Sequence, residues 1–527
     1  MISKKKEHII FSFLLLFAMY CAIVVGQSWD GNFHLLQGKI TLEYLFSLGK
    51  IDKELFYREF YSPIYWSIQY LLTLIFPIKY QIEVSHIVNL IFSIGTIFGL
   101  NKLGKELFNK DVGKIIFLIL FLYPIFFGHM GFNSKDTILA FSHVWITYLT
   151  IRYLKNHNLS YKTKKWIFLI AILAATGTGI QLVFLGSLLP LIILVIFDIF
   201  FLKKLTKRKF LFKIFIIDLL KCFLIFYLCL IIFWIDSHPN ILILPFKFLT
   251  DTLSETYWTG WAFNLLNGNY YFSDQVPKNY LIVNFLFKTP EYILFLYLVF
   301  FVILIKSKSF FTKKFKNFNT NILFIVSILV YPNLILFIVP YPIYDGMRLF
   351  LWTVPYFCII PAITIYFLIK NYKSLLSKLI NFSIIIMFVH FIYIFITITP
   401  YQYTYLNLLN GKNEYRYKKF ENDYWGISIS ELIKNSNLNK KIKISMSTCG
   451  INDSLAKKYL KKKGYSKIKF VEPKNAEFII MTNRTTIKET AQNNINNITN
   501  CFDKYTGIDV ISVKRNGQLL SVIRKIN

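Results

Sequence analysis

Long uninterrupted apolar runs recur along the chain, and their lengths predict helices that cross a membrane. Runs of spanning length fall at residues 9–25, 82–100, 112–130, 137–153, 166–180, 182–202, 212–235, 291–305, 321–339, 349–369 and 379–399. That predicts about eleven spans. The run 66–78 is shorter and ends at Pro77, so it is expected to be re-entrant or interfacial rather than spanning. Past Gly411 the pattern changes. Strand-like runs at 441–447, 466–471 and 476–482 alternate with a helical pattern at 454–463. Two further strand-like runs, 509–515 and 518–524, flank Asn516-Gly517, the residue pair that a type I′ hairpin turn favours. The expected organisation is a membrane domain over 1–410 and a small α/β domain over 411–527.

Composition supports the membrane class. The chain has 527 residues, 55% of them hydrophobic, and a mean hydropathy of +0.48. Its net charge of +32 resembles that of a nucleic-acid binder, but the cations fall in short loops between the apolar runs. They cluster at Lys102/Lys105/Lys110/Lys114, Arg152/Lys155/Lys162/Lys164/Lys165, Lys203/Lys204/Lys207/Arg208/Lys209, Lys306/Lys308/Lys313/Lys314/Lys316 and Lys370/Lys373/Lys378. With Lys4–Lys6 ahead of the first run, every basic loop falls on one side, which the positive-inside rule makes cytoplasmic. This phase requires a break within 166–202, for which Thr176-Gly177-Thr178-Gly179 is the expected place. The charge is read as topology: N-terminus inside, C-terminus outside, no nucleic acid. No small-x-small cleavage site closes the first run, so it is expected to remain as an anchor.

Four of the six cysteines (Cys21, Cys222, Cys229 and Cys358) lie inside apolar runs, where a thiol simply packs. Cys449 and Cys501 lie in the polar tail. They are placed to bridge if the tail faces an oxidising compartment and to remain free thiols otherwise. No cysteine spacing suits zinc. No nucleotide-binding glycine loop and no internal repeat is seen, which disfavours nucleotide-driven or repeat-built transport.

All the loops with reactive side chains fall on the outer side in this topology. The stretch 26–63 follows the first span at once with Trp29-Asp30-Gly31-Asn32-Phe33-His34. It is expected to continue as a loop carrying Glu43, Asp52, Glu54, Arg58 and Glu59, ending at Phe60-Tyr61-Ser62-Pro63. A carboxylate just beyond a span sits where an aqueous acceptor and a lipid-borne donor can meet. The ordinary reading of one such acid is a polar helix exit. Four more motifs follow: Gly131-Phe132-Asn133-Ser134-Lys135-Asp136; Tyr270-Tyr271…Val276-Pro277-Lys278…Lys288-Thr289-Pro290; Tyr344-Asp345-Gly346-Met347-Arg348; and Pro400-Tyr401-Gln402-Tyr403…Asn407 with Asp423-Tyr424-Trp425-Gly426. Tyr, Trp, Pro and Lys also serve as interfacial anchors, which accounts for part of the third and fifth.

In matching order on one face, these motifs resemble the glycosyltransferase family 39 branch of the GT-C membrane glycosyltransferases, relatives of protein O-mannosyltransferases and lipid A aminoarabinose transferases. The resemblance spans about residues 9 to 430. It departs from the family pattern at Ser134, where Pro is usual. It departs again at Gly31, where a second acid would support a paired-carboxylate or metal-assisted scheme, and near Gly179-Ile180-Gln181, where an Arg is expected.

The resemblance implies a mainly α, polytopic GT-C-type fold in a bacterial inner membrane, and transfer of a hexosyl or pentosyl group from a polyprenyl phosphate to a protein, lipid or glycan. It implies Asp30 as general base, with Asp136 assisting it or holding Lys135. Arg348 and Lys135 would bind the donor phosphate; Lys288 is a second phosphate candidate or a lysine snorkelling at a span's end, and His34 either touches the acceptor or is an ordinary hydrogen-bonded surface residue. Tyr344 and Asp345 belong to the same substrate-binding loop. No cofactor is expected beyond the polyprenyl-phosphate donor, with a divalent metal left open. The alternative is a transporter of lipid-linked saccharide, but acids within spans are few: Asp198 and Asp218 lie near a basic loop, and Glu291 at a span's outer end. Reporter fusions at Lys209 and Asn527 are expected to show opposite sidedness; the same sidedness for both would overturn the topology.

Overall fold

A computed structural model of the chain describes residues 4–50, 60–157, 160–206, 210–253, 260–339, 341–371, 375–438, 443–488 and 495–526. Asp52, Glu54, Arg58, Glu59, Lys207–Lys209, Lys373 and the start of the expected strand 441–447 lie outside the described residues.

The chain is mainly α and polytopic. Among the described residues, eight helices are long and apolar enough to cross a membrane: Lys5–Val24, Ile78–Leu107, Thr163–Ile180, Phe212–Phe233, Glu291–Lys314, Phe318–Ile338, Arg348–Lys370 and Leu375–Thr397. Three other expected spans take different forms. Residues 112–130 become two helices, Lys110–Phe121 and Pro124–His129, interrupted ahead of Pro124. Asp136–Asn156 is one continuous helix, long enough to cross at 1.5 Å per residue. It carries Thr137, Ser142, His143 and Thr147, all buried, so its polar face looks into the bundle rather than at lipid. Residues 182–202 form Phe184–Ser187 and Leu189–Phe197 followed by a π turn at Asp198–Leu202. The basic residues at the end opposite the site pair locally, Arg152 and Lys155 with Glu106 at 3.2 and 2.9 Å, and Lys114 with Glu7.

Two expectations are corrected. The stretch after Asp30 is not a loop but the helix Gly31–Phe46, packed on the short helix Ile64–Thr73. The break expected at Thr176–Gly179 falls later, because the helix runs to Ile180 before the chain turns at Gln181. Those glycines permit close approach instead: a Cβ on Gly179 would overlap the Ser62 carbonyl, and the Ser62 N–H donates to the Gly179 carbonyl at 2.8 Å.

Strands β1 (Phe263–Leu266) and β2 (Asn269–Phe272) form a small hairpin ahead of the short helix Tyr280–Lys288. The tail holds β3 (Ile444–Cys449), β4 (Ile468–Phe470), β5 (Phe478–Thr482), β6 (Thr485–Ile487), β7 (Ile498–Asn500), β8 (Gly507–Arg515) and β9 (Gln518–Ile526). Five of these make one sheet in the order β4-β3-β5-β9-β8, while β6 pairs with β7. The helix Asp453–Lys462 joins parallel β3 and β4. Asn516 and Gly517 both have positive φ, 47° and 74°, as the hairpin turn requires. The sheet packs back on the membrane domain. The Gln27 N–H donates to the Tyr459 hydroxyl at 2.7 Å, and Lys458 Nζ donates to Gln27 Oε1 at 2.6 Å.

Cys449 at the end of β3 and Cys501 after β7 are bridged, with Cα atoms 5.7 Å apart and a sequence separation of 52. The chain-entropy model gives such a bridge roughly 4 kcal/mol of stabilisation. Denatured without reductant, the protein should expose four thiols to maleimide (Cys21, Cys222, Cys229 and Cys358) and six after reduction. Its C-terminal sheet should also unfold at lower denaturant once reduced. Six reactive thiols without reductant would overturn the bridge.

Candidate active site

The first helix ends one residue short of Val25, and the chain crosses under the tail, where the Trp29 N–H donates to the Trp425 carbonyl at 3.3 Å. Asp30 is then the N-cap of the helix Gly31–Phe46. Its carboxylate makes no capping hydrogen bond; it faces Arg348, with Oδ2 3.7 Å from Nη2.

The second loop is shaped by Asn133. Its Oδ1 accepts from the N–H groups of Lys135 and Asp136 at 3.1 and 2.9 Å, a turn that a short amide side chain can close. Its Nδ2 donates to Asp136 Oδ2 at 3.0 Å. From outside, Asn89 donates to the Asn133 carbonyl at 2.9 Å and Trp66 Nε1 to the Ser134 carbonyl at 2.9 Å. Asp136 opens the helix Asp136–Asn156, where an acid suits the positive end of the helix dipole. Its Oδ2 also accepts from Arg348 Nε at 3.1 Å. Lys135 donates from Nζ to the Tyr61 hydroxyl at 3.1 Å and stands partly exposed.

The third loop supplies the centre. Asp345 and Gly346 both take left-handed backbone, with φ of 59° and 65°. A Cβ at Gly346 would meet Lys288 Nζ, the movable end of a side chain, so it is chiefly the left-handed backbone that calls for glycine there. The Gly346 N–H donates to the Tyr280 hydroxyl at 2.8 Å. This geometry turns Asp345 back onto Arg348, whose Nη1 donates to Asp345 Oδ2 at 2.6 Å. The guanidinium lies 4.2 Å over the Trp425 ring and 5.6 Å from that of Tyr344. Arg348 thus stands among three carboxylates, with side-chain exposures of 36% for Asp30, 2% for Asp136 and 0% for Asp345.

A second arginine completes the cluster. Arg484, between β5 and β6, places Nη2 3.0 Å from Asp345 Oδ1. Its guanidinium lies against Trp29 at 4.7 Å and Trp261 at 4.2 Å, and its Nη1 donates to the Tyr424 carbonyl. Behind Gly346, buried Lys288 lies 5.3 Å over the Phe420 ring. Burial pushes its ammonium down to about 8, against the pull of Glu421 and Asp345. Burial likewise pushes Glu421 up to about 7, against the Arg484 charge. Glu421 accepts from the Thr485 N–H at 2.8 Å and hydroxyl at 2.6 Å. The fifth motif is a frame. Asp423 accepts from the N–H groups of Ile427 and Ser428 at 3.0 and 3.1 Å and from the Tyr403 hydroxyl, which sets Trp425 beneath Arg348.

The structure therefore brings Asp30, Asp136, Asp345, Arg348 and Tyr344 together, with Lys135 beside Tyr61 and Lys288 behind the loop. His34 is directed elsewhere: it is buried, hydrogen-bonded through Nδ1 to Ser134 Oγ at 2.9 Å, and stacked on Trp66 at 4.3 Å. Arg484, Glu421 and Trp261 were not singled out by sequence. No motif surrounds Arg484; its only hint is a lone cation just beyond the apolar run 478–482. Among the described residues, no group of three or more His, Cys, Asp or Glu converges to hold a metal ion.

No protein-family model matches the chain, and no curated protein matches it. Solved structures do show likeness. ArnT from Cupriavidus metallidurans in the apo state is similar at a TM-score of 0.49 and 11% identity, with 98% of each chain covered. The same protein bound to undecaprenyl phosphate gives 0.48 and 11%, covering 99% of this chain and 98% of that one. The Archaeoglobus fulgidus oligosaccharyltransferase in the apo form gives 0.46 and 11%, covering 90% of this chain and 69% of that one. At such identity and scores, any functional reading must come from the residues themselves.

Gly346→Ala should cost about 1–2 kcal/mol for the left-handed backbone alone, with more from displacing Lys288. Thermal unfolding of the purified variant in detergent should show a lowered midpoint; an unchanged midpoint would contradict the geometry of this loop.

Proposed function

We propose that this protein is a GT-C-type membrane glycosyltransferase that transfers a hexosyl or pentosyl group from a polyprenyl phosphate to a hydroxyl of a protein, lipid or glycan. The observation that carries this reading is the graded exposure of the three carboxylates around Arg348. Asp136 and Asp345 are sealed against the guanidinium, while Asp30 stands at the rim with its carboxylate uncapped. A general base has to be reachable by the hydroxyl it deprotonates. The acceptor oxygen attacks the anomeric carbon as its proton passes to Asp30. The bond from that carbon to the phosphate oxygen breaks, its electron pair leaves on polyprenyl phosphate, and the configuration inverts.

The leaving phosphate needs cations. Lys135 is the more reachable one, held by Tyr61. Arg348 has Nε and Nη1 engaged by Asp136 and Asp345, so its Nη2, directed at Asp30, is the donor left for a phosphate oxygen. Asp136 and Asp345 then act by holding Arg348, and Lys288 supports the loop from behind through its charge. His34 reaches the acceptor only indirectly, by shaping the Ser134 turn. An apolar cavity of about 190 Å³ lies beside the site, lined by Leu281, Phe285, Leu329, Met347 and Phe357, and suits isoprene units next to the phosphate. With a guanidinium between the carboxylates, the reading invokes no metal.

Two features support an extracytoplasmic site with the C-terminus on that side: the Cys449–Cys501 bridge, which suits an oxidising compartment, and the basic loops at the opposite end. An acid–arginine cluster at one end of the bundle suits an interfacial enzyme better than a carrier with a midplane site.

Purified protein incubated with a panel of radiolabelled polyprenyl-phosphate hexoses and pentoses, with membrane extract as acceptor, should release polyprenyl phosphate. Asp30→Asn should lower turnover by at least about 10²-fold. The reading falls if the native protein releases none, or if stably inserted Asp30→Asn turns over normally.

A further inference from the structure

We infer that Arg484 is a positioning residue of the membrane-embedded site, supplied by the C-terminal sheet and acting through Asp345 on Arg348. The inference rests on the proposed function only for what Arg348 grips.

Asp345 has one guanidinium on each oxygen, Arg348 on Oδ2 at 2.6 Å and Arg484 on Oδ1 at 3.0 Å. Both arginines and the acid are buried. The Arg484 contact is an ion pair rather than an aligned hydrogen bond, and a carboxylate with a cation at each oxygen is restrained from turning about its terminal bond. The planar fork of Arg348 is then fixed on one edge by Asp345 and on the other by Asp136. Without Arg484, Oδ1 would be buried facing no cation, and Asp345 would be free to turn toward other donors. The Nη1 of Arg348 would follow it and take Nη2 away from Asp30. Arg484 reaches the base side as well, because its guanidinium lies against Trp29, the residue before Asp30. One side chain therefore sets the spacing between the base and the phosphate grip.

The sheet holds Arg484 firmly. The Cys501 N–H donates to the Arg484 carbonyl at 2.9 Å, and Cys501 is bridged to Cys449. Gly450, at φ 76°, is packed so closely that a Cβ there would press on Arg484 Cβ at 2.7 Å. Asn483 donates to the Phe420 carbonyl at 2.8 Å and accepts from the Asn422 N–H at 2.9 Å. Trp261 Nε1 donates to the Thr485 carbonyl at 3.2 Å. The backbone on either side of the arginine is thus tied to the fold, and the disulfide sits directly beneath it.

A residue that merely docks the sheet would behave differently, and the protein contains one for comparison. Arg515 pairs with Glu431 at 2.5 Å and donates from Nε to the Thr399 carbonyl at 2.8 Å, away from the site.

The test uses full-length protein in lipid nanodiscs with Arg484→Gln, Arg484→Lys, Arg515→Gln, Asp345→Asn and the Asp345→Asn/Arg484→Gln pair. Hydrogen exchange followed by mass spectrometry reads the segment 345–348, where Gly346 and Arg348 have bonded amides. Release of polyprenyl phosphate from a radiolabelled polyprenyl-phosphate sugar reads donor KM and kcat separately. Arg484→Gln should speed exchange in that segment and raise donor KM by roughly tenfold or more, the scale of one charge-assisted hydrogen bond. Arg484→Lys, with charge but no fork, should fall between Arg484→Gln and the native protein. The double variant should lose no more than Asp345→Asn alone, and Arg515→Gln should match the native protein in both readouts. Native exchange and KM in Arg484→Gln would overturn the inference, as would equal losses in Arg515→Gln or losses that add to those of Asp345→Asn. If Arg484→Gln does not accumulate, Arg484→Lys decides by the same readouts. If the native protein releases no polyprenyl phosphate from any donor, the proposed function fails, and exchange in 345–348 alone decides the positioning role.

Discussion

The guanidinium of Arg348, buried among Asp30, Asp136 and Asp345, is the interaction on which the arrangement of this end of the molecule depends. Taking a charge out of water costs several kcal/mol even after relaxation, and removing one partner leaves the other exposed to that cost. The cluster therefore stands only if every member arrives. Asp30 comes from the exit of the first span, Asp136 from the start of a helix, Asp345 and Arg348 from a left-handed turn, and Arg484 from a sheet in the tail. Many of the constraints nearby serve to deliver these groups. Gly346 admits the turn beside Lys288, Asn133 closes the loop that aims Asp136, and Asp423 anchors the segment that puts Trp425 beneath Arg348.

The cluster is not symmetric, and its asymmetry leaves one acid reachable. A sealed ion network is a structural element, since both charges are satisfied and neither is reachable. Here one carboxylate in three stays at the rim, and one guanidinium nitrogen faces it at 3.7 Å, beyond hydrogen-bond contact. Nη2 is therefore not committed to Asp30 by a hydrogen bond, and both groups keep capacity for a further partner. Lys135 stands partly exposed beside Tyr61, and the apolar cavity by Met347 lies on the other side of the loop. Polar and lipid-compatible surfaces therefore meet where the exposed acid is.

Much of this was legible in the sequence because it is local or periodic. Apolar runs mark spans by length alone, Asn516-Gly517 marks a hairpin by its backbone preference, and the order of the outer motifs survives as plain sequence. Asn267-Gly268 carries the same signal for β1 and β2, with φ of 49° and 89°. What was not legible is tertiary. The helix Gly31–Phe46 shows no clear apolar stripe because its buried face includes His34, Gly38 and Thr41 while Leu36 and Phe46 are exposed. The helix Asp136–Asn156 was legible as the run 137–153, but not that its Thr137, Ser142, His143 and Thr147 are turned inward. Sequence alone leaves His34 open between an acceptor contact and an ordinary hydrogen-bonded residue, and does not show its stacking on Trp66. Arg484 has no local signal, since its partners lie at Asp345, Trp29 and Trp261.

That last case changes how the tail relates to the rest. Composition divides the chain near Gly411 into an apolar bundle and a polar sheet, and a division of that kind suggests an appendage. Yet Asp345 is left with a buried oxygen facing no cation unless the sheet supplies Arg484. The sheet in turn leaves a buried cation without its acid unless it docks on the bundle. Asp345 and Arg484 come from different parts of the chain, both are buried, and they meet across the interface at 3.0 Å. An interface built on such a pair penalises partial docking, because a displaced sheet strands two charges in a low-dielectric interior rather than simply exposing apolar surface. Docking is thereby tied to one register, and that register is the one in which the rim carboxylate faces the guanidinium.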